Sequence, residues 1–347
     1  MIEKAAIILS VPRFAALRPQ AAPAIIKGIL NSSNLESKII DINLKFQTKL
    51  KDSLSTEDYM ALDRWMFTEV DLTNDQQSIL DSFITHQIKK IVDYKPSFIF
   101  ISVFCWQCQK FTKLLCQALR KRSTAKIIIG GQGLINQENG SYSEIPYFAQ
   151  ELRQLNLIDH CIRGEAETTV LNIVNDDLPC PGVDTESYAL PSNVNEHTYM
   201  DFSDTNPRDY MSGYDTGVLP IESSRGCVRR CVFCDIPTVH MGYRSKQGDR
   251  LANELIEYYE NYNVENFFFH DALCNGSMKD FRLFNQSLIN YYKKHNLNNR
   301  TLKYSSHAIV RQASQMQESD YELMARAGAD TMVIGVESGS EEVRNAM

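Results

Sequence analysis

Continuous apolar stretches alternating with amphipathic ones constrain the fold of the first half more than any other feature. The strand-like stretches are Ala5 to Val11, Lys38 to Leu44 (KIIDINL), Phe98 to Phe104 (FIFISVF), Ala125 to Ile129 and Ile158 to Ile162. Between them run helical patterns over Ala21 to Leu30, Gln77 to Tyr94 (Ile79, Leu80, Phe83, Ile84, Ile88, Ile91) and Lys110 to Arg122. Strands without polar alternation need cover on both faces, and strand–helix alternation supplies it. The expectation is an α/β fold, a doubly wound, Rossmann-like parallel sheet over residues 1–175. Such sheets bind ligands at the carboxyl ends of their strands. Small residues there (Ser10, Ser102, Gly130, Gly131) would let a flat ligand approach the backbone, although each glycine alone is equally well a tight turn. The dinucleotide fingerprint is not met: Gly131-x-Gly133 is followed by Asn136 in place of a third glycine, after a late strand. Cys105-Trp106-Gln107-Cys108 is a C-x-x-C between a strand and a helix, but the pattern around it is not thioredoxin-like, so buried structural cysteines are the better reading.

Residues 176–218 carry Pro179, Pro181, Pro191 and Pro207 among many Asn, Asp and Ser, a composition that reads as a linker. A second strand–helix series follows over 219–347. Its strands are Leu219 to Ser223, Asn266 to His270, Leu302 to His307 and Thr331 to Val336, with helices over Met278 to Tyr292 and Ser319 to Ala327. About four strand–helix units fit, which is a partial (β/α) barrel on a scale of ~250 residues for eight. After the first strand comes SRGCVRRCVFCD, with the spacing Cys227-x3-Cys231-x2-Cys234. Clustered thiolates serve zinc or iron–sulfur chemistry. Zinc lacks a fourth ligand here unless His240 or Cys274 supplies it. A 4Fe–4S cluster on three thiolates keeps one iron open for a small ligand.

The 347 residues carry 36 Lys+Arg against 43 Asp+Glu, a net charge of −7, which excludes a nucleic-acid binder working through a basic surface. No apolar run approaches the ~18–20 residues of a membrane span. The N-terminus lacks a basic leader and a small-residue cleavage site and reads as a first buried strand, so the expected location is cytoplasmic. Nine cysteines in a reducing compartment point to metal or redox chemistry.

The cysteine spacing in a loop after a first barrel strand, with Phe233 before the third cysteine, resembles the radical S-adenosylmethionine superfamily. The first sheet with its GGQG turn, the RGEAE segment (Arg163–Glu167) and the GVESGS segment (Gly335–Ser340) are similar to the subgroup with an N-terminal cobalamin-binding domain. The resemblance implies three cofactors: a 4Fe–4S cluster on Cys227, Cys231 and Cys234, S-adenosylmethionine, and cobalamin. It implies that Asp271 and Glu337 hydrogen-bond S-adenosylmethionine and that Ser102, Gly130 and Gly131 line the corrin. The implied reaction is reductive cleavage of S-adenosylmethionine to a 5′-deoxyadenosyl radical, serving methyl transfer to an unactivated carbon of a small-molecule substrate. The alternatives are a cobalamin-assisted radical cyclase or rearrangement enzyme and a catalytically incomplete fragment that only binds a cofactor. A flavodoxin- or ferredoxin-type donor supplies the electron. Two departures stand out. The D-x-H-x-x-G motif that places a lower His on cobalt is missing, so cobalamin binds without a protein nitrogen or not at all. The barrel is shorter than the family's usual six units, as in a truncated chain or one completed by a second chain.

Overall fold

The computed structural model describes residues 5–12, 15–135, 145–189, 191–236, 240 and 242–346; Asn136 lies outside them. Two compact units divide the chain: Met1–Ala16, Gln20–Ser192 and Thr198–Thr205 form one, and Leu17–Pro19, Asn193–His197 and Asn206–Met347 the other.

In the first unit, β1 (Ala5–Ser10), β2 (Glu36–Asp41), β3 (Phe98–Ser102), β4 (Lys126–Gly130) and β5 (His160–Ile162) form one parallel sheet in the order β2-β1-β3-β4-β5. Helices α1 (Ala21–Ser32), α2 (Thr56–Trp65), α3 (Asn74–Asp93), α4 (Gln109–Arg120), α5 (Tyr147–Gln154) and α6 (Ala166–Asn175) alternate with the strands. One core gathers Ile7, Leu9, Ile99, Ile101, Ile127 and Ile129 from the strands with Ile84, Ile88, Phe111 and Leu115 from α3 and α4. Ile8, Phe98 and Phe100 are buried as well, so the uninterrupted apolar runs are explained by cover on both faces.

Two local departures from the sequence reading have physical causes. The second strand ends at Asp41, not Leu44, because the Asp41 carboxylate accepts the Leu44 N–H at 2.8 Å and caps a helical turn over Ile42–Lys45. The polar stretch after it contains α2, capped by Ser55 and anchored by buried Leu62 and Trp65. The presumed linker is partly built into this unit. Val183 and Ala189 bridge to Ile162 and Gly164, and buried Lys27 pairs with Asp204.

In the second unit, β6 (Val218–Ile221), β9 (Asn266–Phe269), β10 (Lys303–His307) and β11 (Ala329–Val333) form a parallel sheet in the order β11-β10-β9-β6. A short antiparallel pair, β7 (Ser224–Arg225) with β8 (Arg244–Ser245), follows β6. Helices α7 (Gly248–Tyr262), α8 (Met278–Lys294) and α9 (Glu318–Ala327) complete the series. Phe269, Phe284 and Tyr304 interlock with centroids 5.2–5.6 Å apart, and the Tyr292 hydroxyl donates to the Ala327 carbonyl at 2.8 Å. Gly328 closes α9 in the left-handed region at φ +118°, where a β-carbon would lie 1.8 Å from the Leu302 carbonyl oxygen. Among the described residues no helix is long and apolar enough to cross a membrane.

Candidate functional site

The cysteine loop leaves the carboxyl end of β6 and is pinched at its base. Gly226 sits at φ +78°, and a β-carbon on it would fall 2.3 Å from the Gly242 carbonyl oxygen. Together with the β7–β8 pair, this close approach turns residues 227–234 into a projecting loop. Gly226→Ala should therefore cost about 1–3 kcal/mol, read as a lowered urea midpoint. Cys227, Cys231 and Cys234 are all free and half-buried. The Arg229 N–H donates to Cys227 Sγ at 3.4 Å, and the Cys234 N–H donates to the Cys231 carbonyl at 3.1 Å. Val232 and Phe233 beside them are 76% and 57% exposed, so the loop offers an apolar as well as a sulfur surface. Among the described residues no group of three or more His, Cys, Asp or Glu side chains is gathered closely enough to hold an ion. The donor set itself, three thiols with a backbone N–H already directed at one sulfur, fits a thiolate-ligated cluster. Cys274 is buried and its thiol is pushed up to about 12 by burial, which sets it apart from the loop as a ligand.

Buried charge ties this loop to the sheet. Arg225 grips Glu222 with both arms of its guanidinium, Nε to Oε1 at 2.7 Å and Nη2 to Oε2 at 3.2 Å. Burial works to raise the Glu222 carboxyl, but the Arg225 and Lys246 charges prevail and hold it at about 2. Lys246 bonds Glu254, which also accepts from the Tyr258 hydroxyl at 2.8 Å. His270 follows β9 and is pushed down to about 4 by burial, against the pull of Glu222, so it is neutral at pH 7.

Asp271, expected to reach S-adenosylmethionine, is 6% exposed. Its Oδ2 accepts from the Ser223 N–H at 2.7 Å, the Ser223 hydroxyl and the Ser224 N–H at 3.1 Å, so it fastens the start of the cysteine loop to the end of β9. Its Oδ1 is buried with no hydrogen-bond partner. Burial raises this carboxyl to about 8 against the lowering effect of Ser223. Between about pH 4 and 8 the folded chain thus keeps a proton that the unfolded chain has lost, and stability falls as pH rises. His270 opposes this slope only below about 6.5, where its unfolded form gains a proton. From about pH 6.5 to 8, urea denaturation of the wild type should lose up to about 1.4 kcal/mol per pH unit from this group, whereas Asp271→Asn should flatten that slope. An unchanged slope would contradict the assignment. Glu337 follows β11 at the same end of the sheet. It is exposed, at φ +62°, with its carboxylate folded back over Gly335 and no hydrogen-bond partner among the described residues.

In the first unit, the parallel register sets the last residues of three strands side by side, Ser10 against Ser102 and Ser102 against Gly130. The strand order reverses at β1/β3, which makes this edge the switch point where such sheets take ligands. Gly131 and Gly133 serve the chain itself. β-Carbons there would meet the Val103 and Cys105 carbonyl oxygens at 2.5 and 2.4 Å, so two backbones cross at these glycines. Phe104 and Trp106 stand 48% and 39% exposed just beyond β3. This edge fits a flat, partly apolar ligand, and the loop after β1 supplies no His. Cys105 and Cys108 lie 3.6 Å apart by their sulfurs. Sequence reasoning missed Glu222, Arg225 and the Ser223–Ser224 amides; charged and hydroxyl residues flanking an apolar strand are the signal that could have found them.

The family model of the Radical SAM superfamily matches residues 221–347. No curated protein matches the chain. Among solved structures it is similar to the radical S-adenosylmethionine methyltransferase TsrM from Kitasatospora setae, with cobalamin and a [4Fe-4S] cluster bound: 13% identity, 98% of this chain and 62% of that one, TM-score 0.63. TsrM with tryptophan substrate and the analogue aza-SAM matches at 14% identity, 98% and 60% coverage, and TM-score 0.60. The chain thus spans a little over three fifths of the length of these structures. Both units share the TsrM fold, and the residues matched by the Radical SAM family model, 221–347, include the cysteine loop beyond the carboxyl end of β6.

Proposed function

We propose that the chain is a cobalamin-binding radical SAM iron–sulfur enzyme that methylates an unactivated carbon of a small-molecule substrate. The observation that carries this reading is the loop of three free thiols held at the β6 carboxyl end by Asp271 and the Glu222–Arg225 pair. The likeness in fold to TsrM supports the cobalamin part. When bound, the cluster supplies an electron and an open iron for S-adenosylmethionine, and cobalamin supplies a methyl carrier. Cys227, Cys231 and Cys234 would ligate the cluster. Asp271 holds the loop entrance in place and keeps its proton at neutral pH. Glu337, an exposed carboxylate at the same strand end, would accept from the ammonium of S-adenosylmethionine. Ser102, Gly130 and Gly131 lie along the edge that would face the corrin, with Phe104 and Trp106 excluding water beside it. The electron would come from a flavodoxin- or ferredoxin-type donor.

The test is anaerobic reconstitution with iron, sulfide and hydroxocobalamin, then gel filtration and incubation with S-adenosylmethionine and dithionite. Cobalamin eluting with the protein and release of 5′-deoxyadenosine are the expected results. Cobalamin that washes out, or no release, would overturn the corresponding part of the proposal.

A further inference from the structure

At the amino ends of β6, β9, β10 and β11 lies a cavity of about 170 Å³ lined by Leu17, Arg18, Tyr214, Val218, Phe268 and Lys303, among others. Val218, Asn266 and Lys303 are the first residues of their strands, whereas the cysteine loop follows the last residue of β6. Phe268 and Ser305, the third residues of β9 and β10, also line it, so it reaches along the sheet to the level of Pro220. None of its lining residues belongs to the cysteine loop.

Arg18 lies flat on Phe268, its guanidinium carbon 3.7 Å from the ring centroid. Stacking occupies the face of the guanidinium and leaves its edge, with the forked N–H donors, free to bind. Among the described residues no carboxylate or carbonyl accepts from those donors, and none accepts from the Lys303 ammonium. Arg18 and Lys303 are half-buried, whereas the buried cations Arg225 and Lys246 are paired with Glu222 and Glu254. Asp330 lines the wall, but its Oδ1 is turned to Arg300 Nη2 at 3.6 Å. Burial lowers the Arg18 pKa, which marks a cation drawn out of water without compensation.

We propose that this cavity is a binding site for an organic carboxylate with an apolar or aromatic body. The carboxylate meets the Arg18 fork and the Lys303 ammonium, and the body lies among Phe268, Leu17, Val218 and Tyr214. A cavity of ~150 Å³ is enough to hold benzene, so about 170 Å³ takes one aromatic ring or its aliphatic equivalent. Arg rather than Lys at the stacked position suits the planar, bidentate anion.

The experiment is isothermal titration of the full chain with 3-phenylpropionate and with its neutral isostere 3-phenylpropionamide. Saturable binding of the acid, at least about tenfold tighter than the amide, is expected, as is a loss of about tenfold for the acid in Arg18→Gln. Equal affinities for acid and amide would overturn the proposal, as would no binding of the acid at millimolar concentration. The acid–amide comparison needs no variant, so it decides even where Arg18→Gln fails to fold. Heat of binding is read in place of turnover, so the site stands or falls independently of cluster and cobalamin chemistry.

Discussion

Arg225→Met should destabilise the second unit by about 3–5 kcal/mol, the cost of leaving a buried carboxylate without its partner. Glu222 is 6% exposed, and its ionised form at neutral pH depends first on Arg225 and then on Lys246. With Arg225 gone, Glu222 takes up a proton or draws water into the β6 end, and either outcome loosens the root of the cysteine loop. The double variant Glu222→Gln/Arg225→Met should recover much of the loss, because it removes both charges together. Urea denaturation of the wild type, both single variants and the double variant forms the cycle that checks this. A single variant within about 0.5 kcal/mol of wild type would show that the pair is not buried in solution as it is here.

Replacing Cys227, Cys231 or Cys234 by Ala should bring reconstituted iron from about four per chain to background and abolish 5′-deoxyadenosine release. Cys105→Ala and Cys108→Ala should retain both. Those two sulfurs belong to the first unit, Cys108 within its apolar core, and the other three to a loop of the second. Iron analysis beside thermal melting separates loss of a ligand from loss of fold. Full iron retention in any of the three loop variants, or loss in Cys105→Ala, would contradict the ligand assignment.

Much of the architecture was legible because it rests on local rules. Uninterrupted runs such as FIFISVF read as strands covered on both faces, and the first parallel sheet follows from them; β10 (KYSSH) and β11 (ADTMV) of the second carry no such run. The cysteine spacing likewise marked its loop without any structure. Local capping misled at Asp41, where one side chain outweighed an apolar run, and Ser55 capped a helix in a stretch read only as polar. The α7 helix carries a local signal of its own, Leu251, Leu255 and Tyr258 buried at helical spacing. The roles of Asp271 and Arg18 were not legible in the same way. Asp271 looks like a loop carboxylate until the β6–β9 register places it over Ser223 and Ser224, 48 residues away for the first. Arg18 sits in a proline-flanked stretch, and only the tertiary fold lays it on Phe268.

The central claim is that this loop holds a cluster open to S-adenosylmethionine. The most direct measurement is low-temperature electron paramagnetic resonance of the reconstituted, dithionite-reduced wild-type chain, before and after S-adenosylmethionine is added. The account predicts a reduced 4Fe–4S signal that changes shape on addition, as expected when a ligand reaches the iron that the three thiolates leave open. No iron–sulfur signal from an intact chain, or a signal indifferent to S-adenosylmethionine, would contradict it.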